Sequence, residues 1–172
     1  MRRPVTDQRT LFMLRLEALL GIELRLEQLL PALAEEVADV QLRRGLERHV
    51  AETRQHRLNL ETAFHVLGEE PSAREPLALQ GLERDHAERV ASLWAEASWE
   101  LHDLVVAETG AHIEHLEIGS YEAARQQAEL LDAEDAAELL QANLAEELAM
   151  LDEGKAISHR LASTLVHERL RA

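Results

Sequence analysis

The segment 111–121 carries His112, Glu114, His115 and Glu117 inside a long helical run that is apolar on nearly every side. Glu114 and Glu117 are three apart, so they project from neighbouring parts of one helix face. An ionised carboxylate inside a helical bundle is costly unless something positive pairs with it. A metal ion pairs with several at once, so the question becomes whether other helices supply matching ligands.

They do. Glu23 falls near the middle of an apolar face running from Leu11 to Leu33. His49, Thr53 and His56 occupy the centre of a stripe otherwise built from Leu42, Leu46, Val50, Leu60 and Phe64, with Glu52 on its edge. At 100° per residue, the face of Leu139, Leu140, Leu144, Leu148, Met150, Leu151, Ile157 and Leu161 centres on Glu147, with Glu146 at its edge. The predicted metal ligands are therefore Glu23, His49, Glu52, His56, Glu114, Glu117 and Glu147. All sit near mid-helix, where antiparallel rods meet at one level. Carboxylates with a few imidazoles are the donor set that Fe or Mn centres use in bundles. The clean Glu-x-x-His pair on two helices, which marks the standard di-iron bundle, is missing.

Other polar residues read more plainly. Glu17, Glu27 and Glu146 are expected in solvent, which also competes for Glu52. His65, His86, His102, His159 and His167 read as surface or interface residues, and Trp94 and Trp99 as packing anchors.

The elements that must position the cluster follow from composition and periodicity. Seven Gly, four Pro and 3% aromatics in 172 residues indicate an all-α single domain. Helix A is expected over about 7–36, capped by Thr6 or Asp7 after a short disordered lead, with Pro31 kinking it or tightening its last turns. Asp39 starts helix B, about 40–67. A break at 68–76 is the long crossover between two hairpins, and it carries a further helical segment over about 77–95. The stretch 96–98 either interrupts that segment or leads into helix C, about 98–129. Asp132 with Asp135 reads as a capping box for helix D, about 133–166, in which Gly154 is a weak spot.

The net charge of −15 argues against a non-specific grip on nucleic acid or on an anionic membrane surface. No apolar run is long enough to suggest a spanning helix. The residues after Met1 lack the apolar core of a signal peptide, so a cytoplasmic location is the default. Zero cysteines exclude disulfides and thiol catalysis.

From about Leu11 to Leu161 the chain resembles the YciE/YciF group of ferritin-like bacterial proteins. The anchors are Glu23 with Leu30-Pro31, the stretch from His49 to Thr53, Leu60-Glu61, Leu67-Gly68 and Gly81-Leu82. Further anchors are Glu114-His115 with Glu117-Ile118 and Tyr121, then Leu139-Leu140 and Glu146-Glu147. The resemblance implies a rubrerythrin-like antiparallel four-helix bundle, commonly a homodimer, with one or two Fe or Mn ions and a stress-associated role. Ferroxidase- or catalase-like chemistry toward dioxygen or peroxide would follow, with Glu114 and Glu147 as bridging carboxylates. The chain departs from the family pattern at Leu20 and Leu116, where tyrosines are usual, and at Ala142-Asn143, where Glu-Thr is usual. The change at Ala142 removes a candidate ligand. It favours the alternative of a non-catalytic helical scaffold with a vestigial site. DNA protection of the starvation-protein kind is the weakest reading, given the acidic charge.

Overall fold

The computed structural model describes residues 5–93 and 97–169, with side chains to 167. It contains α1 (Gln8–Glu36), α2 (Val40–Val66), α3 (Leu77–Ala91), α4 (Trp99–Leu130) and α5 (Glu134–Arg169), and no strand among the described residues. Residues 1–4 of the expected lead, Trp94, and the start of the expected 96–98 break lie outside the described residues.

Polar side chains at the helix ends set the arrangement of the four long rods. Asp7 accepts from Thr10 N at 2.7 Å and Asp39 from Leu42 N at 2.9 Å, each satisfying an orphan donor of a first turn. Buried Asp103, near the start of α4, accepts from Ala38 N at 3.1 Å and Asp39 N at 2.6 Å, so the α1–α2 turn sits on that end of α4. Arg160, late in α5, reaches Asp39 at 2.8 Å. At the opposite end, Gln127 of α4 donates to Gln8 O at 2.9 Å. Thus α1 is antiparallel to α4 and α2 to α5, and the rods close in the ring α1–α2–α5–α4. Helices α2 and α4 run the same way, so the connection between them must travel the length of the bundle.

Two left-handed residues end helices. Gly68, at φ 73°, follows α2; Gly68 N donates to His65 O and Glu69 N to Phe64 O, both at 3.0 Å. Asp132, at φ 54°, does the same after α4, with Asp132 N on Glu129 O at 3.2 Å and Ala133 N on Ala128 O at 2.9 Å. Both are Schellman closures. This corrects the expected capping box. Asp132 terminates α4, and the carbonyl of Ala133 accepts the first bond of α5, from Ala137 N at 3.0 Å.

The crossover runs back along α1 on a ladder of ion pairs, Arg9–Glu69, Glu17–Arg74 and Arg25–Glu83, with His86 Nε2 3.7 Å from Glu36 Oε2 at its far end. Arg74 N also donates to Glu17 O at 2.8 Å. The backbones meet here because position 21 is glycine; a Cβ on Gly21 would lie 1.8 Å from Arg74 O. His86, expected at the surface or an interface, is largely covered and hydrogen-bonds Thr109 Oγ1 at 2.9 Å. Trp99, expected to anchor packing, is 50% exposed.

The core falls into two apolar blocks. One gathers Phe12, Leu16, Leu60, Phe64, Ala124 and Leu140. The other gathers Leu26, Leu33, Leu42, Val106, Ile157 and Leu161. On α2 and α4 the candidate ligands fall between the two, and on α5 Glu147 lies within the first block, between Leu144 and Leu151.

Candidate metal centre

Each helix delivers its polar residues by simple periodicity. His49 and His56 are seven apart on α2, two turns along one face, roughly 10 Å by helix rise. Glu114, Glu117 and Tyr121 follow at three- and four-residue steps on α4. Glu23 comes from α1 and Glu147 from α5. All six predicted ligands other than Glu52 are buried: Glu23, His56, Glu117 and Glu147 at 0% exposure, His49 at 2% and Glu114 at 5%.

They assemble into two adjoining groups. His49, Glu114, Glu117 and Glu147 each present a donor atom within 4.8 Å of the others, and Glu23, His56 and Glu147 do likewise. Glu147 belongs to both, which is the position of a bridging carboxylate. His56 Nδ1 lies 2.9 Å from Glu147 Oε1 and 3.7 Å from Glu23 Oε1; His49 Nε2 lies 3.4 Å from Glu114 Oε1.

The outer nitrogen of each imidazole meets a carboxylate closer to solvent. Glu52 Oε2 lies 3.4 Å from His49 Nδ1, and Glu146 Oε2 lies 2.9 Å from His56 Nε2. Glu52 therefore stands behind His49, outside both groups. Glu146 is half exposed, as expected, yet it also grips His56. A carboxylate behind a histidine fixes its tautomer and ring orientation. Periodicity finds inward positions and misses such partners, because a half-exposed Glu at a stripe's edge looks like any other surface Glu.

A second network closes the Glu23 side. Tyr121, fully buried, donates its hydroxyl to Glu23 Oε1. Asn143 Nδ2 lies 3.0 Å from that hydroxyl and 3.2 Å from His56 O, and Asn59 Nδ2 donates to Asn143 Oδ1 at 2.7 Å. Asn143 is buried while Ala142 is exposed on the outer face of α5. The Ala142 departure thus removes nothing from the interior, contrary to the expectation of a lost ligand.

Burial dominates the electrostatics. It pushes Glu23 up to about 8 against the pull of His56, and Glu114 up to about 11 with help from Glu147. Burial and then Glu147 and Glu23 hold Glu117 well above the usual range. Glu147 is the exception: burial raises it, but His56, Glu114 and His49 together bring it below its ordinary value. For His56, burial opposes the charge and is outweighed by Glu147 and Glu23, leaving it at about 9. Glu52 is lowered, chiefly by its contact with His49.

Eight of the eleven buried side-chain nitrogens and oxygens that make no well-directed hydrogen bond, among the described residues, belong to this cluster: Glu23 Oε2, His49 Nε2, His56 Nδ1, Glu114 Oε2, and both oxygens of Glu117 and Glu147, the close pair His56 Nδ1 and Glu147 Oε1 included. Folded proteins rarely leave buried polar atoms unmade, and a concentration of them calls for an ion or a proton. Four carboxylates and two imidazoles are also the inventory of bundle di-metal sites, here with both histidines on one helix. The residues fit a pair of metal ions.

A four-helix bundle of the ferritin-like kind, with a buried carboxylate–imidazole cluster at its waist, is the class that fold and site define. The chain belongs to the family described as a domain of unknown function, DUF892, which spans residues 7–166 of it. Among solved structures it is similar to YcfI of Rhodopseudomonas palustris, described provisionally as a structural protein, at 26% identity and TM-score 0.85 over 90% of this chain and 97% of that one. It is similar in fold to the Escherichia coli stress protein YciF, at 22% identity and TM-score 0.85, covering 92% and 99% of the two chains. A protein from Xanthomonas campestris pv. campestris shares the fold at 18% identity and TM-score 0.72, with 95% and 99% covered. No curated protein matches the chain. The resemblance to the YciE/YciF group read from the sequence is borne out. No helix among the described residues is long and apolar enough to cross a membrane.

Proposed function

We propose that the protein is a stress-associated metal-binding bundle that holds Fe or Mn ions at two adjoining sites. His49, Glu114, Glu117 and Glu147 would hold one ion, and Glu23, His56 and Glu147 the other. The observation that carries this reading is the concentration of unmade buried donors and acceptors in a single belt. A bound pair would supply one-electron redox chemistry toward dioxygen or peroxide. The chain's own contribution is to orient the imidazoles through Glu52 and Glu146, and to keep a phenolic proton on Glu23 through Tyr121.

One observation favours a second reading, a scaffold with a vestigial site. Burial raises Glu23, Glu114 and Glu117 towards their neutral forms, and His56 Nδ1 lies 2.9 Å from Glu147 Oε1, so protons in place of cations would make the cluster tolerable. Elemental analysis of protein purified without a histidine tag separates the two. One to two Fe or Mn per chain, with melting lowered by chelation, supports the metal reading. Less than about 0.2 ion per chain with melting unchanged by chelator supports the scaffold, because a ligand bound only by the folded state must raise its stability.

A further inference from the structure

A cavity of about 40 Å³ lies between α2, α4 and α5, on the side of the cluster that holds His49 and Glu114. Its wall is hydrocarbon from Leu30, Leu46, Ile113 and Ile157. Three helices each contribute a glycine, Gly45, Gly110 and Gly154, and a Cβ added at Gly110 or Gly154 would meet no heavy atom within 4 Å. The space is therefore left open by the sequence at positions where alanine would favour the helix. Its polar lining is confined to Glu153 towards the surface and to His49 and Glu114 at the inner end. His49 Nε2 and Glu114 Oε2, both buried, have no hydrogen-bond partner.

Volume and lining decide what fits. An apolar cavity stays dry unless several polar groups converge on the water, and the wall of this one is almost wholly apolar. About 40 Å³ is too small for an aromatic ring, for which a cavity of roughly 150 Å³ is the known example, and large enough for a molecule of two or three heavy atoms. At the opposite end of the cluster the buried Tyr121 hydrogen-bonds Glu23 and sets its ring edge-on to His56, with centroids 6.1 Å apart.

We propose that this cavity is a binding pocket for a small apolar molecule of dioxygen size, placed against the His49–Glu114 end of the cluster and not the Glu23–His56 end. The pocket deepens the metal reading, since it would make the two sites unequal, but its occupancy can be measured without metal. Crystals of the wild-type protein, metal-free and metal-loaded, would be pressurised with xenon. Methyl NMR of Leu30, Leu46, Ile113 and Ile157 would follow xenon titration in solution. The expected result is xenon density in the cavity and shifts confined to those methyls, with binding at least about tenfold weaker in Gly110→Leu. Gly154→Ala, a smaller change, should weaken binding less and guards against misfolding of the first variant. Xenon absent from the cavity, or methyl shifts unchanged in both variants, would overturn the pocket. Xenon bound in a protein that takes up no metal would uphold the pocket and refute the metal reading.

Discussion

Glu147 is the residue on which both halves of the cluster depend. It is the carboxylate shared by both donor groups and, among the described residues, the only buried one whose pKa is lowered. Glu147→Gln keeps the volume and removes the charge, so metal content should fall below half of wild type by elemental analysis. Glu146→Gln removes only a partner of His56 Nε2. Its metal affinity should drop by about tenfold to a hundredfold, the usual cost of losing such support, with full loading recovered at high metal. Equal loss in both variants would mean that Glu146 is itself a ligand. Tyr121→Phe should leave Glu23 without its phenolic donor and cost about 1–3 kcal/mol in chemical denaturation of the metal-free protein. At this scale the sequence was legible where a polar residue interrupts an apolar stripe, as at Glu23, His56 and Glu147. It was opaque where the partner sits at a stripe's edge, as with Glu52 and Glu146. The apparent loss at Ala142 misled for a related reason: helix phase, not family position, decides which side chain faces in.

The helices themselves were readable because their apolar residues recur every three or four positions and Asp7 and Asp39 cap them. Their ends were less so. Asp132 has the chemistry of an N-cap, but Asp also tolerates the left-handed conformation, and here the turn uses that tolerance. Asp132→Gly should therefore stabilise the protein slightly, by up to about 1 kcal/mol, measured as a higher melting temperature. The contact of the crossover with α1 was invisible in the sequence, because Gly21 looks like a weak point in a helix until Arg74 is seen against it. Gly21→Ala would raise helix propensity yet force the two backbones apart. A loss of about 1–3 kcal/mol is expected, with hydrogen exchange accelerated over 69–76. A gain in stability would show that the crossover does not rest on that face.

The whole molecule is two apolar blocks joined through a polar waist, and that layout makes its stability depend on protons and cations together. In the folded chain Glu23 keeps its proton up to about pH 8, whereas its ordinary value is 4.5. His56 keeps its proton to about 9 instead of 6.5. Glu114 holds on still longer, to about 11. In each window the folded state carries a proton that the unfolded chain has released, so stability must fall as pH rises. Each such proton is worth up to about 1.4 kcal/mol per pH unit. Glu147 acts in the opposite sense only below its ordinary value of 4.5. Metal-free protein should therefore melt lower at pH 8.5 than at pH 5.5. Cations reverse the trend, because a metal that displaces these protons binds more tightly as pH rises. With free Mn or Fe(II) at about a hundred times its Kd, stability should rise by about 2.7 kcal/mol. For a chain of this size that corresponds to roughly 5–10 °C in melting temperature. Titration calorimetry at pH 7 in two buffers of different ionisation enthalpy should register net proton release on metal binding. A metal-free melting temperature that climbs steadily from pH 5.5 to 8.5 would mean that the carboxylates at the waist are ionised and paired in some other way.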